Sequence, residues 1–106
     1  MSGAGLYGRA VAEDEARPGW TFLTNHAHVL VCLARDPDLR QRDLSDLIGI
    51  TERATQVILD DLEASDYLSR ERVGRRNRYS LALDRPLRHR LESAHTVGEV
   101  IELLAR

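Results

Sequence analysis

One run of eight residues, Leu44-Ser45-Asp46-Leu47-Ile48-Gly49-Ile50-Thr51, leaves the chain little freedom in how it can fold. Leu44, Leu47 and Ile48 recur with the spacing of one helical face, which predicts a helix over 41–48. Gly49 follows at once and suits the left-handed backbone that ends a helix. Ile50 then plugs the corner. Thr51 offers a side-chain oxygen to the orphaned N–H groups of a second helix, predicted to run to about Ser65. Helices joined so tightly must cross closely, which calls for a small residue midway along the first; Ser45 supplies it. Leu44, Ile48, Ile50, Ile58 and Leu62 are spaced to fill the angle between them. A plain helical pair with a glycine turn would meet the same demands, so the continuation of the chain has to discriminate.

The continuation is a pair of strands. Tyr79, Leu81 and Leu83 alternate cleanly, and Leu68, Arg70 and Arg72 alternate with their neighbours less cleanly, predicting strands over 67–73 and 78–83. Gly74-Arg75-Arg76-Asn77 has the glycine and asparagine that a tight hairpin needs, with Asn77 at the tip. Charge is concentrated here. The chain has 15 basic and 17 acidic residues, and every basic one is Arg. Residues 70–78 hold five Arg against Glu71 alone, a local +4, whereas 35–64 hold four Arg against eight acids, a local −4. The all-Arg composition also fits codon bias in a GC-rich genome, so the clustering carries the argument and the composition does not.

Length sets the frame for these elements. With 106 residues, one domain is expected. Residues 1–17 are rich in Gly, Ala and acids and read as a flexible N-terminal tail; 18–85 read as the folded body and 86–106 as a C-terminal helical region. A first helix, capped by Thr24 or Asn25, is predicted from His26 to about Arg35. Its apolar run Val29–Ala34 belongs at the centre of a small domain, and Asp36-Pro37-Asp38 stops it. At the other end, Val97, Val100, Ile101 and Leu104 form an apolar stripe capped by Thr96; whether 87–94 joins that helix is open.

Three motifs now stand together: Asp43–Thr51, Leu62-Glu63-Ala64-Ser65-Asp66-Tyr67-Leu68, and Arg72-Val73-Gly74-Arg75-Arg76-Asn77-Arg78-Tyr79. In this order they resemble the winged helix-turn-helix bacterial regulators of the MarR and ArsR type over about two thirds of the chain. The resemblance implies a mainly α fold with a small β-hairpin wing and a C-terminal dimerisation helix. It also implies a homodimer on double-stranded DNA, with the third helix in the major groove and the wing on the backbone or minor groove. Two features depart from the pattern: Arg40 stands where Thr or Ser usually begins the second helix, and the motif body is acidic.

Helical geometry then sorts the residues. At about 100° per residue, Ala54, Ile58 and Leu62 share the inner face, with Thr55 and Leu59 beside them. Thr51, Glu52, Arg53, Gln56 and Val57 lie at the start or on the outer face. Arg53 suits guanine, Gln56 adenine, Glu52 cytosine or the helix dipole, and Val57 a thymine methyl. Asp60 and Asp61 fall where the helix would leave the groove. In the wing, Arg70, Arg72, Arg75, Arg76 and Arg78, with Asn77, converge on one hairpin and repel one another unless a polyanion is near. The Val97/Val100/Ile101/Leu104 stripe either packs back or pairs with a second subunit; pairing is favoured, since one recognition helix reads too few bases.

Other classes fare worse. His26, His28, His89, His95 and Cys32 lack metal-ligand spacing, so no metal and no cofactor is expected. No catalytic triad, carboxylate pair or phosphate loop is present, which argues against an enzyme. A lone Cys32, no apolar run of membrane length and no secretory pattern point to the cytoplasm. Any small effector would have to bind between the wing body and the C-terminal helix. The competing reading is a winged helix used as a protein-interaction module, its acidic helices facing a partner.

Overall fold

The computed structural model describes residues 19–105, so the expected 1–17 tail lies outside the described residues. Among the described residues, three helices come first: α1 (Asn25–Arg35), α2 (Gln41–Ile48) and α3 (Glu52–Ala64). An antiparallel hairpin of β1 (Leu68–Val73) and β2 (Arg76–Leu81) follows, and α4 (Val97–Leu104) closes the chain. This is the mainly α architecture with a β-hairpin wing that the sequence leads one to expect.

The α2–α3 corner forms as the residue pattern demands. Gly49 has φ +84°, and the N–H groups of Gly49 and Ile50 both donate to Ser45 O, at 2.8 and 3.1 Å. Thr51 caps α3 by accepting from Ala54 N–H at 3.0 Å. At the crossing, Ser45 and Thr55 are buried and their hydroxyls lie 2.8 Å apart. Each hydroxyl also contacts a carbonyl one turn back, Gln41 O for Ser45 and Thr51 O for Thr55. Two hydroxyl protons cover two of these three contacts at a time, so each hydroxyl always keeps a hydrogen-bond partner. Arg40, a poor cap by side chain, is compensated from within α2, because its N–H donates to Asp43 Oδ2 at 3.0 Å. Leu47 departs from expectation: it is 65% exposed, outside the face it was spaced to share.

The core runs through every element. Val29, Leu30 and Leu33 of α1 meet Leu44, Ile58, Leu59 and Leu62, closed off by Tyr67, Leu68 and Tyr79 from the hairpin. Val97 and Ile101 of α4 complete it at 3% and 8% exposure. These two belonged to the expected dimerisation stripe and pack back on their own body instead. Seating α4 requires a close approach: Gly98 N–H donates to Leu83 O at 2.8 Å, and a Cβ on Gly98 would sit 2.8 Å from that oxygen. Residues 87–94 form turns rather than helix, in an excursion closed by a Pro86–Thr96 bridge.

The hairpin is tighter than expected. Val73 pairs with Arg76, so the turn is Gly74-Arg75, with Gly74 at φ +64°. Arg76 and Asn77 are therefore strand residues, and Asn77 sits opposite Arg72 rather than at the tip. β2 ends at Leu81, two residues early, since Leu83 gives its carbonyl to α4.

Candidate nucleic-acid interface

Helix α3 buries Thr55, Ile58, Leu59 and Leu62 and turns the opposite face outward. Glu52, Arg53 and Val57 on that face are exposed, Val57 at 53%, and Gln56 is half-buried. Val57 is the one apolar group among these four side chains. The start of α3 is tied to α2, because Gln41 Nε2 donates to Glu52 O at 2.9 Å. The outward side chains thus stand on a helix fixed at its first turn.

The wing cations do not converge on one surface. Strand pairing sets Arg70 and Arg72 with Asn77 on the face shared by Leu68, Tyr79 and Leu81, and Arg76 and Arg78 with Glu71 on the other; Arg75 is in the turn. Nor is Glu71 the one acid within reach. Arg70, 20% exposed, bonds Asp60 Oδ1 at 2.9 Å and Glu63 Oε1 at 2.8 Å. Asp38, in the loop before α2, takes Arg78 Nε at 3.3 Å on its carboxylate and an Arg76 N–H at 2.5 Å on its carbonyl. Sequence reasoning missed these pairs because they join different elements, between residues 7 to 40 positions apart.

The same pairs change the electrostatics of the helices. Arg70 and Gln56 hydrogen bonds hold the Asp60 carboxyl below the usual carboxylate range, and the Glu63 and Asp60 carboxylates raise the Arg70 guanidinium above its own. His26 Nε2 lies 2.9 Å from Asp61 Oδ2. Asp60 and Glu63 of α3 are thereby paired with Arg70, Asp60 on the same helix face as Arg53 and two turns farther on. Between α2 and the wing, a cleft of about 350 Å³ is lined by Arg40, Gln41, Arg75, Arg76 and Asn77.

Two other regions bear on the expectations. Of the C-terminal stripe, Val100 is half-buried and Leu104 is 36% exposed, with Leu103 beside them at 67%. Where a ligand was expected, between the wing and α4, lies a mostly apolar cleft of about 490 Å³ lined by Leu33, Pro37, Tyr79, Leu81, Leu83 and Ile101 among others. Among the described residues no group of three or more His, Cys, Asp or Glu is placed to hold a metal, and no helix is long and apolar enough to cross a membrane.

Comparison with known proteins agrees with this geometry. No curated protein matches the chain. Among solved structures, the PcaV transcriptional regulator from Streptomyces coelicolor, in complex with its natural ligand, aligns with a TM-score of 0.51 at 19% identity, covering 76% of this chain and 63% of that one. MepR, a transcription regulator of the Staphylococcus aureus multidrug efflux pump MepA, aligns at 0.50 and 20%, covering 77% and 67%. A mutant form of S. aureus MepR aligns at 0.54 and 16%, covering 97% and 74%. At these identities the likeness is one of fold, and the chain spans about two thirds of the length of these regulators. A model of the MarR family matches residues 21–78, more than half of the chain. The chain therefore belongs to the MarR family, whose members are winged helix transcription regulators rather than enzymes.

Proposed function

We propose that this protein is a cytoplasmic, homodimeric regulator that reads double-stranded DNA with the outward face of α3 and clamps the backbone or minor groove with its wing. The observation that carries the reading is the outer face of α3. Arg53 and Val57 stand exposed near the start of a helix whose other face is locked into the core, beside a hairpin with five Arg. A recognition helix reads bases with its N-terminal residues, and Thr51, Glu52, Arg53, Gln56 and Val57 occupy that part. Arg53 has the fork geometry for guanine, and Val57 the methyl surface for thymine. Arg72, Arg75, Arg76, Asn77 and Arg78 supply the wing contacts, and the cleft shared with Arg40 is of a size to admit a backbone phosphate. Arg70, held by two carboxylates, contributes differently, as argued below.

The dimer rests on Val100, Leu103 and Leu104, the part of the C-terminal stripe left after Val97 and Ile101 enter the core. Against a protein-interaction module stands the pairing of Asp38, Asp60 and Glu63 with wing arginines, which offsets part of the negative charge that such a partner would meet.

Titration into random-sequence duplex at two salt concentrations tests the proposal. If about three Arg per subunit neutralise phosphates, log K falls against log salt with a slope near −5 for the dimer. Arg75→Ala with Arg76→Ala should flatten that slope and weaken all sequences alike, whereas Arg53→Ala should change which sequence is preferred. Absence of binding at about 10 μM protein and about 50 mM salt overturns the reading, because non-specific affinity is visible there.

A further inference from the structure

Gln56 Nε2 donates to Asp60 Oδ1 at 2.8 Å, and the same oxygen accepts from the Arg70 guanidinium at 2.9 Å. Arg70 is fixed in turn by Glu63 Oε1 at 2.8 Å. We propose that Asp60, clamped by Arg70 of the wing strand, is a positioning residue that presents the Gln56 amide to a base edge and so makes β1 part of the sequence specificity of α3. The inference rests on Gln56 being a base contact, as proposed above.

The chemistry runs through the amide. A glutamine carries two N–H donors and one carbonyl oxygen, and its two ends are near-isosteric. An ionised carboxylate only accepts, so the end facing Asp60 must be the nitrogen. One N–H is consumed there. What remains is one N–H beside one C=O, the donor and acceptor pair that complements N7 and the N6 amino group of adenine. A free glutamine surrenders rotamer freedom when it docks; this one has surrendered part of it before DNA arrives.

Charge explains why Arg70 is needed. A bare carboxylate one turn beyond the reading residues would repel the phosphates on either side of the groove. Arg70 offsets it at 2.9 Å, and the Asp60 carboxyl accordingly lies below the usual carboxylate range. Arg70 is also placed for this role. It shares a sheet face with Leu68 and Tyr79, both buried in the core that α3 helps to build, and it is only 20% exposed. Of the five Arg in the hairpin it is, among the described residues, the one held by two carboxylates.

Binding-site selection, followed by competition with all four bases at each selected position, is the test. Gln56→Ala locates the position it reads, where the intact protein should discriminate by about tenfold or more. Asp60→Ala should lower discrimination at that position about threefold or more, leave the other positions unchanged, and keep affinity for random duplex within about twofold. Asp60→Asn, which retains an acceptor oxygen for Gln56, should restore most of the discrimination and guards against a simple folding defect. The double variant Gln56→Ala/Asp60→Ala should discriminate no worse than Gln56→Ala alone. Undiminished discrimination in Asp60→Ala, or a loss spread evenly over all positions, overturns the proposal. A Gln56→Ala variant without effect at any position overturns the reading of Gln56 itself, and the proposal with it.

Discussion

Gly49 and Asp66 end two helices with the same left-handed backbone, and only Gly49 is free of a Cβ there. Asp66 has φ +63°, its N–H donates to Glu63 O at 3.1 Å, and Tyr67 N–H donates to Leu62 O at 2.9 Å. That pair of bonds is the Schellman closure, with Leu62 and Tyr67, both buried, as its apolar contact. Asp66→Gly should therefore raise stability by about 0.5–1 kcal/mol, the relief of αL strain less the added freedom of the unfolded chain. At Gly49 a Cβ would meet nothing within 4 Å, so Gly49→Ala should cost the backbone strain alone, about 1–2 kcal/mol. Chemical denaturation of the two variants checks both signs. Glu99 makes a pH prediction at the same scale. It accepts from His95 and from Thr96 N–H, each at 2.9 Å, and these bonds hold its carboxyl below the usual range. A depressed folded pKa gives stability that is complete above the unfolded value, about 4.3, and is lost as the pH falls through the lower folded value. Thermal melts should hold steady down to about pH 5 in this respect, and Glu99→Gln should weaken the acid-side decline.

At the level of elements, the corner between α2 and α3 was legible because its causes are local. A small residue, a glycine, an apolar plug and a cap lie within eight positions, and each acts on its neighbours. Bounds of α2 and α3 follow directly. The hairpin was legible in kind but not in register, since a two-residue and a four-residue turn both satisfy Gly74-Arg75-Arg76-Asn77. Cross-strand packing of Leu68 against Leu81 decides between them. Helix α4 was legible by its stripe, but its partner was not. Its position depends on the contact between Gly98 and Leu83, fifteen residues apart, which no periodicity reveals. Gly98→Ala should push the first turn of α4 off the Leu83 carbonyl and destabilise the fold by about 1–3 kcal/mol, read as a lower denaturation midpoint.

For the whole molecule, the proposed dimer surface is smaller than the stripe suggested, because Val97 and Ile101 are buried and the exposed apolar residues left on α4 are Leu103 and Leu104, with Val100 half-buried. Leu103→Asp changes a residue already 67% exposed, so the fold should survive and the dimer should dissociate, as sedimentation would show. Ile101→Asp, at 8% exposure, should unfold the protein instead. The winged helix itself was determined by sequence alone: helix order, the Gly49 turn, the Thr51 cap and the outer face of α3 all follow from propensity and period. Tertiary structure decided which charges remain free and which apolar residues face out. Asp38, Asp60 and Glu63 reach wing arginines from other elements, and Val97 and Ile101 are taken up by the core. The physical reason is range. Backbone geometry is set by neighbours within one or two turns, whereas an ion pair or a core contact depends on where distant segments come to rest.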